Sequence, residues 1–148
     1  MAFNKILVAT DFSDCSQRAL DLGVELALKF ESELVLVHSW EAPSYSYGGG
    51  LYLPVDLVTP IEQAATAQLE ASLSDLRRRV PRAVSMLRAG AAWQEVLEAA
   101  VSVRADLIVV GTHGRTGLAR ALLGSVAEKI VRLAPIPVLT VHGASASK

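Results

Sequence analysis

The chain has 148 residues, of which 51% are hydrophobic, 20% charged and only 5% aromatic, and its formal net charge is −1. That length suits one globular domain, expected to span 1–148, and that composition supplies an aliphatic core and excludes disorder for most of the chain. The charge excludes a basic field for nucleic acid or an acidic membrane surface, the lone Cys15 excludes a disulfide framework, and no stretch nears the ~20 apolar residues of a membrane-spanning helix.

A cytoplasmic protein without nucleic-acid or membrane partners is the resulting expectation, since the apolar run Ile6 to Ala9 is also too short for a signal-peptide core. That run reads as a first strand, followed by Ala19, Leu20, Gly23, Val24, Leu26 and Ala27 at helical spacing. Leu34 to His38 repeats the strand signal. Residues 41–60, with Gly48-Gly49-Gly50 and Tyr45, Tyr47 and Tyr52, read as a flexible excursion from the end of that strand. Thr59 as cap, Pro60 as first helical residue and Glu62 as the return arm of a capping box predict a second helix to about Arg79. A third strand is expected over Ala83 to Leu87 and a third helix over Trp93 to Val103. Leu107 to Val110, Ser125 to Leu133 and Ile136 to Val141 supply the fourth strand, fourth helix and fifth strand, and 143–148 reads as a loose tail. Strands that are unbroken Val, Ile and Leu runs are buried on both faces, and helices between them imply parallel pairing. The expected fold is an open, doubly wound α/β sheet of five parallel strands, Rossmann-like, with helices on both faces.

In such sheets ligands bind beyond the carboxyl ends of the strands, which gives weight to Thr10-Asp11, His38-Ser39, Arg88-Ala89-Gly90 and Gly111 to Gly114. Asp11 is the acid at such an end. It suits an Asx-turn or helix cap, and beside a phosphate loop it equally suits ribose hydroxyls or a magnesium ion. The stretch VVGTHGRTGLARALLGS turns a buried strand into glycines and hydroxyls, a composition fit for an anion. Gly124-Ser125 opens a helix whose N-terminal amides attract phosphate, while Ser125 with Glu128 also reads as a capping box. A side chain at Gly124 is expected to project into the phosphate path with little loss of fold. Arg115 and Arg120 either neutralise phosphate or are solvated. His38, His113 and His142 stand at three different strand ends without acidic or thiol ligands at close spacing, which argues against zinc. Cys15 reads as a small core residue.

The glycine spacing Gly111, Gly114, Gly124 followed by Ser125 resembles the signature of the ATP-binding branch of the universal stress protein family. KILVATDFSDCSQRAL, LVLVHSW and PIPVLTV are also similar to that family, so the resemblance covers nearly the whole chain apart from 41–60. Ala9 stands where the family often has proline, as do Ala91-Ala92 after Gly90. The resemblance implies ATP, or another adenine nucleotide, with Mg2+ or Mn2+. It implies that Ala9 and Thr10 line the nucleoside pocket, that Asp11 meets ribose and metal, and that Ser39 offers backbone groups to the adenine edge. Gly111, His113 and Gly114 would follow ribose and phosphates, and Gly124, Ser125 and Val126 would close on the phosphates. It further implies a homodimer paired through Pro137 to His142, and leaves any other protein partner unidentified.

Three function classes follow, in this order: a nucleotide-responsive stress or signalling module, a slow ATP hydrolase, and a nucleotide-free dimeric scaffold. The loop has no lysine of the GKS kind and no evident base, which ranks turnover below binding. Retention of every motif residue ranks the scaffold last.

Overall fold

The computed structural model describes residues 2–43, 56–114 and 123–143. The tyrosine and glycine cluster of the expected excursion, Arg115, Arg120 and most of the tail lie outside the described residues. Strands β1 (Lys5–Ala9), β2 (Glu33–Trp40), β3 (Val84–Ala89), β4 (Leu107–Gly111) and β5 (Val138–Val141) alternate with helices α1 (Asp14–Phe30), α2 (Val58–Arg79), α3 (Ala92–Val103) and α4 (Ser125–Leu133). All pairings are parallel, and the strand order is β3-β2-β1-β4-β5. Chain direction across the sheet therefore reverses at β1 and β4, the doubly wound topology read from the alternation of elements.

Alternation along the central strands divides the core in two. Ile6 and Val8 of β1, Leu34 and Leu36 of β2 and Val109 of β4 pack on one face with Ala19 and Val24 of α1 and Leu69 and Leu76 of α2. Leu7 and Ala9, Val35 and Val37, Ile108 and Val110 pack on the other with Val96, Ala99 and Ala100 of α3 and Ile130 of α4. Both faces of β1 and β4 are thus dry, and the chain leaves the sheet at their carboxyl ends.

Element ends departed from the sequence reading where local chemistry or an edge intervened. Strand β2 runs two residues past His38, because Ser39 and Trp40 pair with Arg88 and Ala89 of β3. Strand β3 extends to Ala89 despite the charge of Arg88, whose guanidinium meets Glu95 at 2.9 Å and Glu98 at 3.5 Å on α3. Helix α2 begins before the expected Thr59 cap. Asp56 Oδ1 accepts from the amides of Val58 at 3.0 Å and Thr59 at 3.1 Å, so an acid three residues upstream does the capping. Hydrogen bonds from Thr59, its side chain first, and from Val58 hold the Asp56 carboxyl below the ordinary carboxylate value. This cap is consequently present above that ordinary value and lost as pH falls through the lowered one. The Ser125–Glu128 capping box does not form either: Gly124 is the cap residue and has no side chain to offer, and Glu128 pairs with Arg132 at 3.3 Å.

Helix α4 is only nine residues long and buries just Ala127 and Ile130. Lys129, 5.3 Å from the ring centroid of Trp93 on α3, adds a cation–π contact on its flank. Ile130→Ala, at a fully buried position, is expected to lower unfolding free energy by about 2–5 kcal/mol in chemical denaturation.

Candidate functional site

The β1–α1 connection is fixed residue by residue. Thr10 donates its amide to Val37 O at 2.9 Å, which continues the ladder one residue past β1. Its hydroxyl accepts from the Phe12 amide at 3.0 Å and lies 3.2 Å from Ser16 Oγ. The Ser13 amide donates to Asp11 Oδ1 at 3.0 Å, and Ser13 Oγ in turn accepts from the Ser16 amide as the N-cap of α1. The Asx-turn reading of Asp11 is therefore realised, and it occupies only one carboxylate oxygen in that turn. The other, Oδ2, lies beside Gly114, where an added Cβ would sit 2.5 Å from it.

The end of β4 meets this connection across the reversal point. Gly111 lets α1 approach: a Cβ there would be 2.9 Å from Cys15 Sγ and 3.1 Å from the Cys15 backbone. Thr112 is fully buried and engaged at every polar atom. Its amide donates to Val141 O at 2.9 Å, its carbonyl accepts from Gly124 N at 2.6 Å, and its hydroxyl lies 3.0 Å from His113 Nδ1. Cys15 is buried, with Sγ 3.3 Å from Val141 O, a packed residue in keeping with the core expectation.

Between these two strand ends lies a cavity of about 700 Å³. Ala9, Thr10, Asp11, Ser39, Gly111, His113, Gly114, Gly124, Ser125 and Val126 all line it, so the structure brings together every site residue named from the sequence except Arg115, which lies outside the described residues. Val37, Ala92, Val96 and Val110 form an apolar wall, and Thr112, Ser16 and Glu128 add polar groups. Sequence reasoning missed these. The apolar wall carries no signal beyond that of core residues, whereas Thr112 could have been found as the polar residue between a strand-ending glycine and the loop. The first-turn amides of α4 border the same space, where the helix dipole favours an anion.

The expectation for Gly124 needs correction. A Cβ there would point at the main chain, 3.0 Å from Thr112 O and 3.6 Å from His113 Cα, and not into the cavity alone. Position 124 is glycine because the turn closes against Thr112, so a larger residue disturbs the fold as well as the pocket. His38 is turned to the β1–α1 loop, with Nδ1 2.8 Å from Thr10 O, and it does not line the cavity. Among the described residues no three His, Cys, Asp or Glu side chains gather as a metal site.

A parallel five-stranded sheet with a largely apolar crevice at its reversal point defines an α/β domain of the doubly wound class with a cavity at the switch point. The family model described as "Universal stress protein family" matches residues 2–142. Universal stress protein A homolog 1 of Coxiella burnetii is 35% identical over 143 residues, covering 95% of this chain and 97% of that protein. Universal stress protein YxiE of Bacillus subtilis is 34% identical over 147 residues, covering 95% and 99%. A universal stress protein solved in complex with cAMP is similar in structure, with a TM-score of 0.70, 27% identity and coverage of 97% of this chain and 100% of that one. The chain belongs to the universal stress protein family.

Two glycine variants are expected to separate. Gly124→Val, against main-chain atoms, should cost about 1–3 kcal/mol of stability, whereas Gly114→Ala, against the tip of the Asp11 side chain, should cost about 0.5 kcal/mol or less while moving that carboxylate. Denaturant melts of the two variants check this order.

Proposed function

We propose that the crevice binds an adenine nucleotide, ATP with Mg2+ or Mn2+, and that the protein is a nucleotide-responsive stress or signalling module in which occupancy matters more than turnover. The observation that carries this reading is the convergence of an apolar slot and a glycine-lined helix N-terminus on one cavity at the sheet's reversal point. The slot of Val37, Val96 and Val110 has the chemistry to take a base, with Ser39 at its edge. The amides around Gly124, Ser125 and Val126 have the chemistry to take phosphates, with Gly111, His113 and Gly114 between. The cAMP complex of a related protein supports the adenine class.

A divalent cation fits the donor set in one way. Magnesium is commonly held by one or two carboxylates plus substrate phosphates and water, so Asp11 alone on the protein side suffices when a polyphosphate supplies the rest. When bound, the ion would neutralise phosphate charge beside that carboxylate. The absence of a lysine after the glycines supports binding over efficient phosphoryl transfer. A cytoplasmic setting agrees with a single buried thiol, and no helix among the described residues is long and apolar enough to cross a membrane.

Nucleotide-stripped protein titrated with ATP and Mg2+ in a calorimeter is expected to bind, and Asp11→Ala to weaken binding by about tenfold or more while melting near the unliganded wild type. Absence of heat in the wild type, or an unchanged affinity in the variant, overturns the assignment.

The reading includes a homodimer paired through Pro137 to His142. Strand β5 stands at one end of the sheet, and β4 uses the carbonyls of Pro137 and Val141. Strand alternation turns the backbone groups of Val138 and Thr140 to the open side, where a second copy would satisfy them. Thr140→Pro removes an outward donor and leaves the bonds to β4, so it should convert dimer to monomer in sedimentation velocity. A variant that sediments as the wild type does would refute pairing through this strand.

A further inference from the structure

Among the described residues three non-glycine residues have positive φ: Glu31 at 54°, Arg104 at 57° and Phe12 at 64°. The first two are left-handed caps that end α1 and α3. Phe12 ends no helix; it lies between β1 and the Ser13 cap, a conformation that is uncommon for a bulky residue and persists only where its surroundings over-determine it.

Those surroundings are specific. The Phe12 amide donates to Thr10 Oγ1 at 3.0 Å, and its ring lies against the His38 imidazole, centroids 4.4 Å apart at 47°. His38 Nδ1 is 2.8 Å from the Thr10 carbonyl. A carbonyl only accepts, so Nδ1 carries the proton and the ring is held in one orientation. The braced segment Thr10 to Ser13 contains Asp11, whose Oδ1 receives the Ser13 amide and whose Oδ2 faces Gly114 across the crevice. Neither Phe12 nor His38 lines the cavity. A glycine at position 12 would reach the same φ without strain, so the phenylalanine is accounted for by its ring, which packs on His38 and against the core cluster of Ile6 and Val8, and not by the turn.

We propose that His38 and Phe12 are positioning residues that aim the Asp11 carboxylate at the place where a metal-bound phosphate would pass. The inference rests on the nucleotide reading above. His38 holds Thr10 by its carbonyl and Phe12 holds the turn after Asp11, so the main chain that carries the Asp11 carboxylate is fixed on both sides.

The full chain is titrated with ATP in Mg2+ and with ATP in EDTA as wild type, His38→Ala, Asp11→Ala and the double variant. His38→Ala should weaken Mg-ATP by about tenfold, leave ATP in EDTA nearly unchanged, and cost nothing further in the Asp11→Ala background. His38→Asn, which keeps a donor near the position of Nδ1, should recover part of the loss. Equal losses with and without Mg2+, equal losses in both backgrounds, or an unchanged affinity would overturn the positioning role. Failure of the wild type to bind at all instead overturns the reading of the pocket. The strain is tested without ligand: Phe12→Gly should melt above Phe12→Ala, and equal melting would overturn the inference independently.

Discussion

The main chain of Thr112 ties the crevice together. Its amide is the last rung between β4 and β5, and its carbonyl takes the amide of Gly124 at 2.6 Å just before α4 begins. One peptide thus fixes the edge strand on one side and the start of α4, which borders the crevice, on the other. A buried carbonyl left without a donor would be costly, so the return of the chain to this point is strongly specified after the long β4–α4 connection. A Cβ at position 124 would be 3.0 Å from the same oxygen, so any other residue forces that turn to give by a few tenths of an ångström. The spaced glycine motif is therefore partly a packing device. The residues that close the turn also line the cavity.

Much of this was legible because the sheet is buried on both faces. Continuous runs such as Ile6 to Ala9 and Leu107 to Val110 announce central strands, and helical spacing between them fixes the parallel topology and the reversal point. Once that point is known, Asp11 and Gly111 must meet. Less legible was anything decided by one hydrogen bond. Asp56 overrode Thr59 as cap of α2, and Gly124 displaced Ser125 as cap of α4, because a plausible cap in sequence competes with others a few residues away. Arg88 looked like a strand-ending residue and is instead an edge-strand residue whose charge is met by Glu95. The apolar wall of the cavity was invisible, since Val37 and Val96 are chosen by the same hydrophobicity as any core position.

The two halves of the crevice are supported unequally. The β1–α1 side is a short segment tied by hydrogen bonds between Thr10 and Val37, Ser16 and His38. On the opposite side, among the described residues, α4 buries Ala127 and Ile130, carries the Lys129 contact to Trp93 and follows one bond from Gly124 to Thr112. One wall carries the carboxylate and the other carries the amides.

The register of the sheet also sets an order of events during synthesis. Ile6 pairs with Leu107 and Val8 with Val109, partners about a hundred positions apart in the chain. When β1, β2 and β3 have left the ribosome, β1 still has one open edge and one bare apolar face, because β4, α3 and α4 follow later. Non-local parallel pairing of this kind is slow to form and exposes a sticky edge while it waits. The nascent protein is therefore most vulnerable in its first two thirds, and no ligand can protect it there. The crevice comes into being only when the last strands close the sheet, so a bound molecule can stabilise the finished fold but cannot guide its assembly.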